Sequence, residues 1–448
     1  MHFELSEEHK MIQEAARDFA QAELLPGVIE RDENATFPTE QIKKMGELGF
    51  LGMMVDPKYN GGGMDTMSYV LAMEEIAKVD ASAAVVMSVN NSLVCWGLET
   101  FGTEEQKQKY LTKLATGEII GAFCLSEPEA GSDATSQRTT AIDKGDHYLL
   151  NGTKNWITNG NSASVYLVIA QTDVEKKHRG INALIVEKDQ AGFTVGVKEN
   201  KMGIRASDTH SLMFNDVKVP KANRIGEEGF GFKFAMKTLG GGRIGIASQA
   251  LGIASGAFEL ALNYAQERQS FGKPIIEHQA IAFKLADMAT EIEASELLIA
   301  QACHLKNKGE KMTKESAIAK YYASEVAVRT ATEGVQIFGG YGFCMDFPLQ
   351  QYYRDIRIMS LYEGTTGIQS LDLLGRKVPM KGGQALQLLA AEVMKSIQAA
   401  QQYEDLKPYA TKLAAKLELT QEVMGFLSGF AMEGDFNRYL SDATVFMD

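Results

Sequence analysis

The sequence predicts an α+β fold built in successive blocks: helices, a compact β segment, then helices again. Three observations predict it. Apolar residues recur at helical spacing from the N-terminus to about residue 120. Short strand-like runs at close intervals replace them from Gly121. A helical period returns after about residue 230 and continues to the end, so the blocks do not alternate as βαβ units.

In the first block, residues 3–25, 39–48 and 67–78 have helical apolar spacing, and Asn60-Gly-Gly-Gly63 reads as a loop between them. In the second, Asn151-Gly152 between Tyr148-Leu-Leu and Asn155-Trp-Ile-Thr158 predicts a hairpin, because Asn-Gly supplies the positive φ of a two-residue turn. Strand-like runs follow at 165–171, 181–186, 193–197 and 211–219. In the third, Ile244, Ala247, Leu251, Ala254, Phe258, Ala261 and Ala265 fall on one face of a long helix. Residues 281–298 and 315–338 predict two more helices, and residues 384–447 form a last helical segment rich in Ala, Gln and Leu.

A chain of 448 residues suggests two or three domains at about 150 residues each. Its 45% hydrophobic content allows a large core. No stretch of 18 or more residues reads as both charge-free and strongly apolar, so no transmembrane helix is expected. The acidic, helical N-terminus is unlike a secretory signal. A net charge of -13 without a long Lys/Arg run argues against nucleic-acid binding. Cys95, Cys124, Cys303 and Cys344 are far apart, with no Cys/His cluster, so buried free thiols are expected and no metal site.

Four motifs have chemical potential, each beside a plainer reading. Gly240-Gly-Gly-Arg-Ile-Gly245 matches a dinucleotide fingerprint, but no strand precedes it, so a glycine-rich break between helices is the stronger reading. Cys124-Leu-Ser-Glu-Pro-Glu-Ala-Gly-Ser-Asp133 is a loop with N–H groups and a hydroxyl suited to a flavin edge or a phosphate, or simply a turn. Gln336-Ile-Phe-Gly-Gly-Tyr-Gly342 reads as a helix C-cap or a close approach to an extended ligand. Tyr362-Glu-Gly-Thr365 offers a partly desolvated base, although a lone Glu is more often a solvated surface charge.

Together, in this order, the motifs resemble the acyl-CoA dehydrogenase family, over about residues 3–380. Asn155-Trp-Ile-Thr158 and Arg268-Gln-Ser-Phe-Gly272 strengthen the match. The resemblance implies an N-terminal helical domain (1–120), a middle β-barrel-like domain (121–228), a C-terminal four-helix bundle (229–380) and extra C-terminal helices (381–448). It implies FAD, with Leu125, Ser126, Trp156 and Thr158 contacting the flavin. Arg268, Ser270, Phe271, Gln336 and Gly340 would reach the FAD of a neighbouring subunit, with Thr365 near its phosphates. Ser132, Arg243, Tyr362 and Gly364 match substrate-binding positions, and Glu363 matches the catalytic base.

The implied reaction removes a proton from Cα and a hydride from Cβ of an acyl-CoA thioester, giving the trans-2-enoyl-CoA. The implied partners are the acyl-CoA substrate, an electron-transfer flavoprotein and further copies of the chain in a dimer or tetramer. The implied location is a bacterial cytoplasm, or a mitochondrial matrix after removal of a transit peptide. The run Gly242-Arg-Ile-Gly-Ile-Ala-Ser-Gln-Ala-Leu-Gly252 is close to short-chain members and favours a short to medium acyl chain. Two positions and one segment depart from the pattern. Gly240 stands where short-chain members usually have an acid that helps hold CoA, and Gly367 where Gln often bonds FAD. Residues beyond about 380 resemble a shortened form of the extension in a subgroup that includes methylthio-propionyl-CoA dehydrogenases. The alternatives on the same fold are that enzyme, an acyl-CoA oxidase, or a non-catalytic assembly scaffold.

Overall fold

The computed structural model describes residues 4–441 apart from 366, 369–370, 372–373 and 376–378. Residue 3 of the first predicted helix and residues 442–447 of the last lie outside these. The chain forms two compact units, Met1–Glu363 and Gly364–Asp448.

The first unit opens with α1 (Glu7–Phe19), whose N-cap Ser6 accepts from the His9 N–H and whose first turn carries Glu7 and Glu8. Both features satisfy the positive end of a helix. Helices α2 (Val28–Glu33), α3 (Thr39–Glu47), α4 (Thr66–Ala77) and α5 (Ala81–Phe101) follow. Asp65 and Asp80 cap α4 and α5 through their carboxylates. Short helical turns between 104 and 115 complete the block.

The β segment contains β1 (Gly121–Cys124), β2 (Thr140–Asp143), β3 (His147–Thr158), β4 (Val165–Gln171), β5 (Ile181–Glu187), β6 (Phe193–Lys198), β7 (Thr209–Pro220) and β8 (Arg224–Ile225). They form one sheet in the order β6-β7-β3-β2-β4-β5-β8, with β1 paired to β4. The pairs β1–β4 and β2–β4 are parallel and the others antiparallel. Every residue of β4 is buried. Tyr166, Val168 and Ala170 enter the core of the β segment, while Val165, Leu167 and Ile169 enter the main helical core. A strand alternates its faces, so β4 joins the two cores through its own side chains.

The predicted hairpin at Asn151-Gly152 is replaced by one continuous strand, β3, bound on both sides by β2 and β7. The pairing steps from Leu150↔Val217 to Gly152↔Phe214. The extra residue lies on β7, where Asp216 takes a φ of 53° and its N–H donates to Asn151 Oδ1 at 2.9 Å. The signal was therefore that of a β-bulge contact, which uses the same residues as a turn.

Helix α6 (Gly231–Glu267) packs along α7 (Gln279–Asn307) and α8 (Thr313–Phe338), with the shorter α9 (Leu349–Ile356) against α6 and α8. The expected break at Gly240–Gly245 is absent: α6 runs through it without interruption. Helices α5 and α6 are both long and apolar enough to cross a membrane by composition, contrary to the expectation from sequence. Their apolar windows are 94% and 83% buried inside the fold, which makes them core helices. Cys95, Cys124 and Cys303 are buried, but Cys344 is exposed, because it follows the turn that ends α8.

The second unit contains α10 (Met380–Ala400), α11 (Lys407–Met432) and α12 (Phe436–Ser441). Leu374, Leu427 and Tyr439 form its small core, and the Tyr439 hydroxyl donates to the Leu374 carbonyl at 2.8 Å.

At Gly152 a Cβ would lie 2.6 Å from Thr139 Oγ1 and 2.7 Å from Thr139 Cα, at a φ of 140°. Gly152→Ala should therefore lower stability by about 1–3 kcal/mol, measured by chemical denaturation. A variant as stable as wild type would show that β3 and β2 can move apart at no cost.

Candidate active site

Glu363 ends the first unit. It lies in a short turn after α9 and a following 3₁₀ segment, and takes a φ of 53°. Left-handed backbone is costly for a residue of this size and persists only where the surroundings impose it. That turn aims the carboxylate at α6. A Cβ on Gly242 would come within 2.6 Å of Glu363 Oε2 and 2.8 Å of Leu93 Cδ2. Only glycine leaves the room the carboxylate occupies.

Glu363 Oε2 is shielded from solvent and has no hydrogen-bond partner. Burial pushes the carboxyl up from 4.5 to about 7, while the positive charges of Lys320 and Arg243 pull in the opposite direction. Lys320, on α8, is 1% exposed, and burial lowers its ammonium to about 8 against the attraction of Glu363. One α6 turn beyond Gly242, a Cβ on Gly245 would lie 2.5 Å from the Tyr69 hydroxyl and 2.9 Å from Ser88 Oγ. The Tyr362 hydroxyl donates to Gln249 Oε1 at 3.0 Å. The site thus has a carboxylate with one oxygen shielded from solvent, set among apolar and hydroxyl-bearing neighbours and within the field of two cations, with its proton affinity close to neutrality.

A second group of residues lies at the end of β1 and the end of β3. Between Lys154↔Leu212 and Ile157↔His210 the β3–β7 pairing gains a residue on β3. Trp156 sits in this bulge with a φ of 61° and is 61% exposed. A bulge re-aims a side chain, and here it turns an indole outward. Thr158 pairs with Thr209 two residues on. The Asn155 N–H donates to the Ser126 carbonyl at 2.9 Å, which joins this strand to the loop after β1. In that loop the Leu125 carbonyl accepts from Lys154 Nζ at 3.0 Å. No peptide bond among the described residues is cis. In a trans peptide the carbonyl and the following N–H point in opposite directions, so the Ser126 N–H is directed away from the buried Lys154. An exposed indole beside an outward N–H suits the flat, acceptor-edged ring of a flavin.

The other predicted positions are distributed as follows. Ser132 is exposed on the loop after β1. Arg243 follows Gly242 on α6, and its charge acts on Glu363. Arg268 caps the C-terminus of α6, Ser270 pairs in a two-stranded turn with Lys273, and Phe271 is 95% exposed with a φ of 53°. Gln336 and Gly340 are exposed at the end of α8. Ala265, Ile275 and Ile337 share a small core that brings the Arg268–Phe271 turn and the end of α8 together. Gly364 and Thr365 belong to the second unit.

Sequence reading missed Tyr69, Ser88, Gln249, Lys320 and the buried pair Glu127–Lys154. For Lys154 a signal existed: it has the parity of Tyr148 and Leu150, so a charge stands on the inward face of a strand. For the helical residues no signal existed, because their meeting depends on which helices pack together.

Family models for the acyl-CoA dehydrogenase N-terminal, middle and C-terminal domains match residues 6–118, 122–217 and 229–378. The mitochondrial short-chain specific acyl-CoA dehydrogenase of Rattus norvegicus is 49% identical over 372 residues, 83% of this chain and 90% of the relative. The short-chain specific acyl-CoA dehydrogenase of Clostridium acetobutylicum is 46% identical over 84% of this chain and 99% of the relative. The solved butyryl-CoA dehydrogenase of Megasphaera elsdenii superposes with a TM-score of 0.82 at 46% identity, covering 86% of this chain and all of that one. A chain in a structure described as the electron transferring flavoprotein of Acidaminococcus fermentans also gives 0.82, at 49% identity, covering 82% and 97%.

The chain belongs to the acyl-CoA dehydrogenase family. It is an FAD-dependent oxidoreductase with that family's fold, and residues 379–448 lie outside the three matches.

Because burial holds the Glu363 proton to about pH 7, the folded chain keeps a proton between 4.5 and about 7 that the unfolded chain has lost. This group's contribution to stability therefore falls as pH rises through that window. Glu363→Gln removes the fall, so its melting temperature relative to wild type should rise between pH 5 and pH 8. A constant difference across that range would mean that Glu363 ionises at its ordinary value.

Proposed function

We propose that this enzyme converts a short- to medium-chain acyl-CoA to its trans-2-enoyl-CoA, with Glu363 as the base. The observation that carries the reading is Glu363 Oε2, shielded from solvent beside Gly242 and without a hydrogen-bond partner. An α-C–H beside a thioester is a very weak acid. A carboxylate that has lost its solvation is a stronger base than one in water, and a base poised near neutrality works best near physiological pH.

On this reading the acyl chain lies over Gly242, where α6 has no side chain, and Cα faces Glu363 Oε2. The Glu363 N–H polarises the thioester carbonyl, which lowers the acidity barrier. Tyr362, anchored to Gln249, holds the acyl end, while Ser132 and Arg243 hold the CoA portion. An added Cβ at Gly240 meets nothing within 4 Å, so the CoA side of α6 is open where short-chain relatives usually have an acid. Leu125, Ser126, Trp156 and Thr158 would hold and orient the flavin, which would supply a hydride acceptor facing Cβ.

The names of the relatives from Rattus norvegicus, Clostridium acetobutylicum and Megasphaera elsdenii support a short acyl chain. The Acidaminococcus fermentans structure supports an electron-transfer flavoprotein as acceptor. The exposed Arg268, Phe271, Gln336 and Gly340 fit a cofactor site completed by a second copy, with Ser270 in the same turn as Phe271. A homo-oligomer follows. Relatives from mitochondria and from bacteria support either the matrix or a bacterial cytoplasm.

Glu363→Gln should bind FAD and butyryl-CoA but lose anaerobic flavin bleaching by at least about 10²–10⁴-fold, followed by stopped-flow absorbance. Bleaching at near wild-type rate would reject Glu363 as the base.

A further inference from the structure

The loop after β1 is held by one buried ion pair that the reaction does not consume. Lys154 is 0% and Glu127 4% exposed. Lys154 Nζ donates to Glu127 Oε1 at 2.7 Å, to the Leu125 carbonyl at 3.0 Å and to Gln137 Oε1 at 3.2 Å. An ammonium has three protons, and these three acceptors use them all. Glu127 in turn accepts from the Arg138 N–H at 2.6 Å and from the Thr139 N–H at 3.1 Å. One cation thus fastens both ends of the loop, at residue 125 and at residues 137–139. Ser132 stands near the middle of it.

An ion pair taken wholly out of water is weak evidence for stability, because desolvation offsets much of the attraction. What it does supply here is direction. One of the three donors on this buried atom holds the Leu125 carbonyl inward, while the other two, on Glu127 and Gln137, hold the ammonium in place. The trans geometry then fixes the Ser126 N–H outward, beside the bulged Trp156. If the carbonyl were free, this peptide could rotate and the N–H would lose its aim.

We infer that Lys154, with Glu127, is a positioning pair that aims the Ser126 N–H at the edge of the bound flavin. The pair touches neither cofactor nor substrate. It acts through the peptide it holds, so its loss changes the flavin's surroundings rather than proton abstraction by Glu363. The inference rests on the flavin contacts proposed above for Leu125, Ser126 and Trp156.

The test compares Lys154→Met with wild type in three measurements. Amide hydrogen exchange on FAD-free protein reads the loop itself, and exchange at residues 125–139 should accelerate at least tenfold in the variant. Equilibrium titration of the same protein with FAD should show a dissociation constant raised at least tenfold. At saturating FAD, the visible flavin band should shift and the midpoint potential should move to a more negative value, because a donor that favours the electron-rich reduced ring has been lost. Glu127→Gln keeps the shape and leaves the ammonium a neutral acceptor, so it should give smaller changes of the same sign; it serves alone if Lys154→Met does not fold. A lower melting temperature with unchanged loop exchange, FAD affinity and flavin spectrum would overturn the inference and leave a purely structural pair. Faster loop exchange with unchanged FAD affinity and spectrum would overturn the flavin contacts instead. Wild-type protein that takes up no FAD would overturn the functional reading itself.

Discussion

The contact on which the rest depends is that of the Glu363 carboxylate with the bare backbone of α6 at Gly242. It has two unfavourable parts. Glycine in a helix interior costs about 1 kcal/mol relative to alanine, and a left-handed glutamate costs about 1–3 kcal/mol. Neither is favoured by local preference alone. Both are imposed by a large surrounding core that includes α4, α5, α6 and α8. Within that core α6 is a continuous 37-residue helix, so position 242 is fixed along with all the residues on either side of it.

The same economy of strain recurs at the other end of the proposed site. Trp156, Phe271 and Glu363 all have positive φ, and each stands at a position where a ligand or a second copy is proposed to meet the chain. At Trp156 the cause is visible in the register of β3 on β7. The bulge turns the indole out while Ile157, its neighbour, is buried in the β core. The β core is then joined to the helical core through the two faces of β4. A rigid connection of this kind lets groups from a strand and from a helix keep their places in one unit.

Much of this was legible in the sequence, for reasons that differ by element. Strands β4 and β5 were readable because a continuous apolar run of their length fits burial on both faces. Strands β1, β2 and β8 were not, since they span four, four and two residues and acquire their identity only from partners. Asn151-Gly152 and the glycines at 240–242 misled for a common reason: turn and break signals describe local preference, while neighbouring strands and helices decide the outcome. The motif positions could be picked out by resemblance, but the desolvation of Glu363 could not, because Gly242 and Leu93 lie far from it in sequence. Lys154 was the reverse case: its placement in the strand pattern was readable, and its three partners were not.

The central claim is that the carboxylate over Gly242 removes the α-proton. Solvent deuterium exchange tests this without relying on turnover. A butyryl-CoA analogue that cannot lose a β-hydride is incubated with FAD-loaded enzyme in D₂O, and deuterium at Cα is followed by mass spectrometry. The account predicts rapid incorporation by wild type, rising with pH through a midpoint near about 7, and none above background by Glu363→Gln. Incorporation by Glu363→Gln at the wild-type rate, with the same pH dependence, would contradict it.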